Sequence, residues 1–407
     1  MNCRHCGTPL ELTVLDLGSA PPSNAYLAAD DLSCPEVHYP LKIKVCDRCW
    51  LVQTEDCARA DELFVPDYSY FSSTSAGWLE HASLYAERMR GELGLDDASL
   101  VIEIGSNDGY LLRNFRAAGI PCLGIEPTEK TADAAEMLGI PVLREFFGEA
   151  VGKRLADRGE QADLIVGNNV FAHVPDINDF ARGLCAMLKP SGTITLEFPH
   201  LKRLIQDALF DTVYHEHYSY LSLFTTVRVL ETAGLRIWHV EELPTHGGSL
   251  RVFGCHETDS RRASAAVSGM LEEERNQGLQ TVAAFQAFQA RADRIKNDLL
   301  MFLIEQKRAG RSVAAYGAAA KGNTLLNYAG IRVDLLPYVC DAAAAKQGKF
   351  LPGSRIPILA PSTLIERAPD FVLILPWNIA DEVRKQNVAL EERGTRFVTA
   401  VPKLEIL

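Results

Sequence analysis

The sequence predicts an α/β fold, in which a cysteine-marked N-terminal module precedes two successive Rossmann-like units. Short apolar runs alternate with helical segments, and the alternation resumes after a long helical stretch over residues 265–308. Strands that alternate with helices form a mainly parallel, doubly wound sheet. Two CxxC pairs precede both series. We therefore expect three domains, over residues 1–66, 67–245 and 246–407.

Composition and charge narrow the class of protein. The chain has 407 residues, of which 47% are hydrophobic and 23% charged, and its net charge is -12. This balance is that of a globular protein with ample material for a core. Nucleic-acid binding needs a basic patch, which an acidic chain is poorly suited to supply. The N-terminus lacks the apolar core of a signal peptide, and no stretch approaches the roughly 18 apolar residues of a membrane span. We expect a cytoplasmic enzyme that uses neither nucleic acid nor a membrane as partner.

The two CxxC pairs consist of Cys3 with Cys6 and Cys46 with Cys49. Each pair offers two thiolates to one tetrahedral metal ion, and two pairs together favour structural zinc over redox chemistry. His5 lies inside the first pair, but four cysteines suffice as ligands. The alternative is a set of reduced cysteines that bind no metal.

The remaining elements follow in chain order. Apolar residues at helical intervals predict a helix over residues 75–93, with Ser73 or Ser75 as its N-cap. The preceding "DYSYFSSTS" is either a capping loop or a lid that faces a ligand. The strands of the first unit are predicted at SLVIEIG, PCLGIEP, ADLIVGNNV, SGTITLEFP, RIWHVEEL and SLRVFGCHE. Those of the second are predicted within RSVAAYGAAAKGNTLL, LLPYVCD, DFVLILPWN and TRFVTAVP.

The stretch "VIEIGSNDGYLL" indicates a cofactor site, because ligands of open α/β sheets sit at the C-terminal ends of such strands. A dinucleotide fingerprint needs glycine where Asn107 stands, and a P-loop needs a Lys-Ser/Thr pair that is absent here. What remains is the E-x-G-x-x-x-G pattern of class I S-adenosylmethionine (SAM) methyltransferases. Glu126 ends the next strand, where it would accept both ribose hydroxyls. The predicted SAM-binding residues are Glu103, Gly105, Asn107, Asp108, Gly109, Glu126, Asn168 and Asn169. The alternative is a domain that kept the turn and lost the ligand.

The segment "FDTVYHEHYSYLS" concentrates proton-handling side chains. A zincin motif would need histidine at Ser219, so that metal-binding pattern fails. The histidines then serve either packing or general-base catalysis, for which a pKa near 6.5 is suited. In a helical turn Tyr214 and His217 would share a face, whereas in a strand His215 and His217 would do so.

The chain resembles the SAM-dependent sugar C-methyltransferases of deoxysugar biosynthesis over nearly its whole length. The shared segments are the four-cysteine module, YSYFSSTS, EIGSNDG, NNVFAHV, YHEHYSY, THGGSLRV and YGAAAKGNTLLN. The resemblance implies methylation of a dTDP-linked 4-keto deoxysugar next to the ketone, at C-3′. A base would form an enolate, and the enolate carbon would attack the SAM methyl group.

The resemblance also implies roles for individual residues. His217 is the general acid/base, Tyr214 and Glu216 surround the sugar, and His173 and Tyr68 match other active-site positions. His215 is either structural, which is the interpretation we favour, or catalytic. The second Rossmann-like unit would hold the nucleotide diphosphate through backbone amides and Lys321, unless it is a scaffold kept for packing. The residues predicted to bind substrate are Tyr70, His246, Ser249, Arg251, Lys321 and Asn323.

Three alternatives to this function remain. A monomeric enzyme of this type could methylate another ring carbon, such as C-5′, or an oxygen, because each reaction needs a base. The third alternative is a SAM-binding zinc protein without catalytic activity.

Overall fold

The computed structural model describes residues 1–57, Leu63 and 71–407, and it confirms the predicted α/β class. The strands are β1 (Leu12–Ala20), β2 (Tyr39–Val45), β3 (Val52–Thr54), β4 (Val101–Ile104), β5 (Cys122–Ile125), β6 (Val142–Leu143), β7 (Ala162–Asn168), β8 (Leu188–Pro199), β9 (Ser219–Tyr220), β10 (Leu235–Leu243), β11 (Ser249–His256), β12 (Val313–Tyr316), β13 (Val339–Cys340), β14 (Ile358–Leu359), β15 (Phe371–Ile374), β16 (Arg396–Thr399) and β17 (Glu405–Ile406).

The α-helices lie between these strands. They are α1 (Ala76–Leu93), α2 (Leu112–Ala117), α3 (Glu129–Met137), α4 (Glu149–Asp157), α5 (Ile177–Met187), α6 (Leu201–Asp207), α7 (Leu223–Thr232), α8 (Ala265–Asn276), α9 (Phe288–Arg308), α10 (Ala320–Ala329), α11 (Ser362–Arg367), α12 (Ala380–Gln386) and α13 (Val388–Glu391). The Ser75 side chain accepts from Trp78 N and caps α1, as one of the two predicted N-caps. The predicted stretch 265–308 contains two helices, α8 and α9.

The central sheet carries the cofactor loop predicted from the sequence. Its strand order is β10-β11-β8-β7-β4-β5-β6, with parallel pairing from β8 to β6 and antiparallel pairing among β10, β11 and β8. All four residues of β4 are buried, which is the pattern of a parallel strand covered on both faces. β11 belongs to this sheet although it lies beyond residue 245, where the sequence predicted a domain boundary.

The C-terminal sheet repeats the same construction. Its order is β14-β13-β12-β15-β16-β17, and all of its pairs are parallel except that between β16 and β17. The predicted runs in this half of the chain form β12, β13, β15 and β16. Helix α10 follows β12, so its N-terminus lies at the edge where a doubly wound sheet binds ligands.

The N-terminal module forms a four-stranded antiparallel sheet with the order β1-β2-β3-β9. Its last strand comes from far along the chain, because Val52 pairs with Tyr220 and Gln53 with Ser219. The module also shares a continuous apolar core with the C-terminal unit, in which Leu15 and Ile43 join Phe288 and other buried side chains. The segment that contains His217, the predicted general base, is thereby joined to the cysteine module.

None of the helices within the described residues is long and apolar enough to cross a bilayer.

Candidate active site

The turn after β4 is closely packed, and this packing requires glycine. Gly105 and Gly109 have φ values of 65° and 76°, in the left-handed region that glycine adopts without strain. A Cβ atom at Gly109 would lie 2.5 Å from Ile140 Cδ1, and one at Gly105 would lie 3.2 Å from Val170 Cγ2. A larger residue at either position would therefore strain the backbone and crowd the neighbouring side chain.

Buried acceptors without donors surround the turn. Among the described residues, no hydrogen bond reaches Oδ1 of Asp108, Asn168 or Asn169, and the buried carboxylate of Glu103 interacts with the side chain of Tyr110. Burial raises the pKa of Glu103 well above its usual range, an effect that a cationic ligand would oppose. Because these atoms are all acceptors, they fit a ligand that brings donors and positive charge, as the ammonium group and ribose hydroxyls of SAM do.

Two other predicted SAM ligands, and the second carboxylate oxygen of Asp108, are bonded to the protein backbone. The Glu126 carboxylate accepts from Asn107 N and from Thr128 N, each at 2.9 Å. Asn107 Oδ1 accepts from Ser72 N at 2.9 Å, and Asp108 Oδ2 accepts from Ser73 N at 3.0 Å. The turn thus holds the segment that follows "DYSY". Tyr68 and Tyr70, which the sequence predicted as site residues, lie outside the described residues.

The segment from Tyr214 to His217 is a tight turn rather than a helix or a strand. His217 N donates to Tyr214 O at 3.0 Å, and the two rings lie close together at a tilt of 35°, with centroids 3.9 Å apart. Tyr218 N then donates to Ala172 O at 2.8 Å. Thr54 of the cysteine module contacts the same segment, since its hydroxyl donates to His217 O at 3.2 Å. We call residues 214–217 the catalytic turn, after the role that the sequence predicts for His217.

His217 is held as a neutral base. Its Nδ1 lies 2.9 Å from the carbonyl oxygen of Thr212, which only accepts, so Nδ1 carries the proton and Nε2 keeps its lone pair. The residue is 8% exposed. Burial lowers the pKa of His217 well below its ordinary value, and His173, His246 and Lys321 lower it further. The ring is therefore unprotonated at neutral pH.

The two other histidines near the turn differ in their surroundings. The His173 ring meets the His217 ring edge-on, with centroids 4.6 Å apart, and burial lowers the pKa of His173 to about 4. Because His173 follows Asn168 and Asn169 along the loop after β7, it connects the turn to two of the predicted SAM ligands. His215 instead points toward β2, where its Nε2 lies 3.3 Å from Tyr39 O.

A buried charge cluster that the sequence did not predict lies along β8 and β11. Glu197 accepts from Arg251 Nη2 at 2.6 Å and from His81 Nε2 at 2.9 Å. Although burial opposes ionisation, His81 and Arg251 hold the pKa of Glu197 at about 2. The guanidinium of Arg251 also lies 4.5 Å from the Tyr85 ring centre. The sequence does show an acidic residue, Glu197, near the end of β8. Its partners His81 and Arg251 lie far away along the chain, so the sequence could not predict the cluster.

The predicted substrate residues after β10 lie next to this cluster. His246 Nε2 accepts from Asn169 Nδ2 at 3.1 Å, and burial lowers the pKa of His246 to about 4. Ser249 is 1% exposed, and its hydroxyl donates to Thr245 O at 3.0 Å. The structure therefore brings His246 to the cofactor loop and uses the Ser249 side chain to hold the backbone.

Lys321 belongs to a polar group between the central and C-terminal sheets. Its ammonium donates to Asn378 Oδ1 at 2.7 Å and lies 4.7 Å from the Trp377 ring centre. Trp377 Nε1 donates to Asp211 Oδ2 at 2.7 Å, and burial raises the pKa of Asp211 to about 6. Asn323 is fully buried and donates to Ser23 O at 2.6 Å. Sequence reasoning missed Asp211 and Trp377, which carry no recognisable motif.

The four predicted metal ligands converge on one point. The sulfur atoms of Cys3, Cys6, Cys46 and Cys49 all lie within 4.8 Å of one another. The Cys3–Cys49 and Cys6–Cys46 sulfur pairs are 3.4 Å and 3.5 Å apart. Tetrahedral zinc, with bonds of about 2.3 Å, separates its sulfur ligands by about 3.8 Å, so the cluster fits that ion. His5 turns away, with Nδ1 2.8 Å from Asn178 Oδ1.

Comparisons with known proteins agree with this arrangement. A family model described as a putative zinc binding domain matches residues 3–64, one described as a methyltransferase domain matches 79–240, and one described as a C-methyltransferase C-terminal domain matches 244–402. The C-methyltransferase NovU of Streptomyces niveus is 35% identical over 405 residues, which cover 100% of this chain and 96% of NovU.

More distant relatives match only part of the chain. A ubiquinone biosynthesis O-methyltransferase of Methylobacterium nodulans is 32% identical over 108 residues, which cover 25% of this chain and 41% of that protein. Among solved structures, the magnesium protoporphyrin IX methyltransferase of Synechocystis PCC 6803 with bound SAM is 15% identical, covers 44% of this chain and 77% of its own, and has a TM-score of 0.33.

Proposed function

The chain belongs to the C-methyltransferase family, and we propose that it methylates a dTDP-linked 4-keto deoxysugar at the carbon next to the ketone, C-3′. In this proposal residues 1–66 form a structural zinc domain, 67–245 the SAM-binding domain and 246–407 a domain that binds the nucleotide. A C-methyl transfer needs a carbon nucleophile, and the carbon beside a ketone becomes one when a base removes its proton.

One observation carries the proposal. His217 donates through Nδ1 to Thr212 O, so its Nε2 is an acceptor in a buried position beside His173 of the loop after β7. A general base must be unprotonated at the operating pH and held within reach of the proton that it removes. The His217 Nε2 atom would take the proton from C-3′. The Tyr214 ring contacts the imidazole at a tilt of 35° and restrains its orientation.

The other residues bind and orient. Bound SAM supplies the electrophilic methyl group that the enolate carbon takes up. The unpaired Oδ1 atoms of Asn168 and Asn169, with the buried carboxylate of Glu103, would hold its polar groups. The N-terminus of α10 has no side-chain cap, so its free amides, together with Lys321, would meet the diphosphate. Cys3, Cys6, Cys46 and Cys49 would hold a zinc ion that serves the fold rather than the reaction.

Product analysis in deuterated water tests the proposed reaction. The protein is incubated with SAM and a dTDP-linked 4-keto deoxysugar, and the product is examined by NMR and mass spectrometry. We expect a methyl group bound to carbon and the loss of the hydrogen from C-3′. A methyl group bound to oxygen, or to C-5′, would refute the proposal and favour one of the other methylation sites.

The lowered pKa of His217 predicts the pH dependence of the reaction. A base with the ordinary pKa of about 6.5 would be roughly three-quarters protonated, and so inactive, at about pH 6. Because the pKa of His217 is well below that value, kcat/KM should stay nearly constant from about pH 8 down to about pH 6. It should fall only when the pH passes through the lowered pKa.

The fold itself must be monitored in the same pH series. A buried histidine whose pKa is lowered binds fewer protons in the folded state, so stability is lost as the pH falls below about 6.5. Circular dichroism at each pH separates that loss from protonation of the base. A decline of kcat/KM centred near pH 6.5 in a fully folded protein would contradict the neutral, buried His217.

A further inference from the structure

A loop of the cysteine module reaches the catalytic turn. The loop connects β1 to β2, and within it Asn24 Nδ2 donates to Glu216 Oε1 at 2.7 Å. Glu216 is 2% exposed, so its carboxylate is almost completely removed from water. A bond of this length from an amide to a carboxylate is a charge-assisted hydrogen bond, stronger and more directional than one between neutral groups. The orientation of the Glu216 side chain is thus tied to a residue outside the central sheet.

The residues on both sides of Asn24 are anchored to the C-terminal unit. Ser23 O accepts from Asn323 Nδ2 at 2.6 Å, and the Tyr26 hydroxyl donates to Ala318 O at 2.5 Å. Leu27 N and O are each bonded to the backbone of Phe350, at 3.0 Å and 2.8 Å. Asn24 is therefore held by the same residues, 318–323, that we propose to receive the diphosphate. The loop connects that region directly to the catalytic turn.

A fixed position matters for a carboxylate next to the reacting sugar. Glutamate has three side-chain torsions, and an unrestrained carboxylate would sample several of them, at a cost to any reaction that needs one geometry. Hydrogen bonds from neighbouring groups are the usual means by which proteins hold such a side chain. Asn24 supplies one from a loop whose own backbone is bonded on both sides.

We propose that Asn24 is a positioning residue, which orients the Glu216 carboxylate toward the sugar and makes the cysteine module a contributor to the methyl-transfer site. This inference rests on the proposed function, in which Glu216 lies beside the sugar. It adds a residue that no sequence motif singles out, and it explains why the module is joined to the methyltransferase unit by hydrogen bonds at the site.

The substitution Asn24→Asp tests the inference because it keeps the shape of the side chain and replaces the donor with an acceptor. We expect kcat to fall about 10- to 100-fold, the value of a hydrogen bond to a buried charge. KM and SAM affinity should change little, whereas the melting temperature should fall because two carboxylates would face each other at a buried position. The control is Asp31→Ala in the same loop, which removes the bond from Ala28 N to Asp31 Oδ2 and should leave kcat unchanged.

A double-mutant cycle with Glu216→Gln identifies the route of the effect. If Asn24 acts through the Glu216 carboxylate, Asn24→Asp should lower kcat in the wild-type protein and have almost no effect in the Glu216→Gln protein. Wild-type kcat in Asn24→Asp, or an equal fold-loss in both backgrounds, would overturn the inference. The proposed function fails separately, when the unaltered protein transfers the methyl group to oxygen.

Discussion

Replacing His217 with alanine is expected to lower kcat by about 100- to 10,000-fold, the usual contribution of a general acid/base. SAM affinity should be unchanged, because the buried acceptors assigned to SAM belong to other residues. The loss follows from the Nδ1–H bond to Thr212 O, which leaves Nε2 as the atom that receives a proton. Single-turnover kinetics and calorimetric titration with SAM measure the two quantities separately.

His215→Ala is the matched control, two residues away in the same turn. Its ring contacts Tyr39 of the cysteine module and its Nε2 lies near Tyr39 O. Its removal should therefore lower the free energy of unfolding without a comparable loss of kcat. Turnover close to wild type in His217→Ala, or a larger loss in His215→Ala, would transfer the role of base to another residue.

Cys46→Ser is expected to release the zinc ion and to unfold much of the N-terminal module. Structural zinc sites of this kind contribute about 10–16 kcal/mol of binding free energy, which is also folding free energy. We expect the melting temperature to fall by on the order of 10 °C. Because β3 pairs with β9, which follows the catalytic turn, turnover should fall as well. Elemental analysis and thermal denaturation measure these changes.

Cys34→Ser is the control for this experiment. Cys34 is exposed and lies outside the four-cysteine cluster. It should keep both the metal content and the melting temperature of the unaltered protein. A Cys46→Ser protein with unchanged zinc content would remove Cys46 from the metal site, and one that lost zinc without losing stability would make the ion structurally dispensable.

Much of the fold could be predicted because the information is local. The run that forms β4 is entirely apolar except for Glu103, and a capping serine precedes α1. Pairing between strands that are far apart in the sequence leaves no comparable local pattern. β9 is two residues long, and its partner β3 lies in another part of the chain, so neither sequence segment predicts the ladder. The link between the cysteine module and the catalytic turn was therefore visible only in the structure.

Some residues of the candidate site could likewise be predicted from local sequence, and others could not. The glycine turn, Glu126 and the four cysteines follow from spacing and residue type, since each has a chemistry that few other patterns share. The conformation of the catalytic turn could not be chosen between helix and strand, and it is neither, because the hydrogen bond between His217 N and Tyr214 O closes a tight turn. Asn24 was missed for another reason: an isolated asparagine in a loop usually serves the loop itself.

The most direct test of the account is the exchange of the C-3′ hydrogen with solvent deuterium. The dTDP-linked 4-keto deoxysugar is incubated in deuterated water with the protein and S-adenosylhomocysteine, which carries no methyl group to transfer. The account predicts rapid incorporation of deuterium at C-3′ with the unaltered protein, and incorporation no faster than the uncatalysed rate with His217→Ala. Equal exchange rates in the two proteins would contradict the claim that His217 forms the enolate.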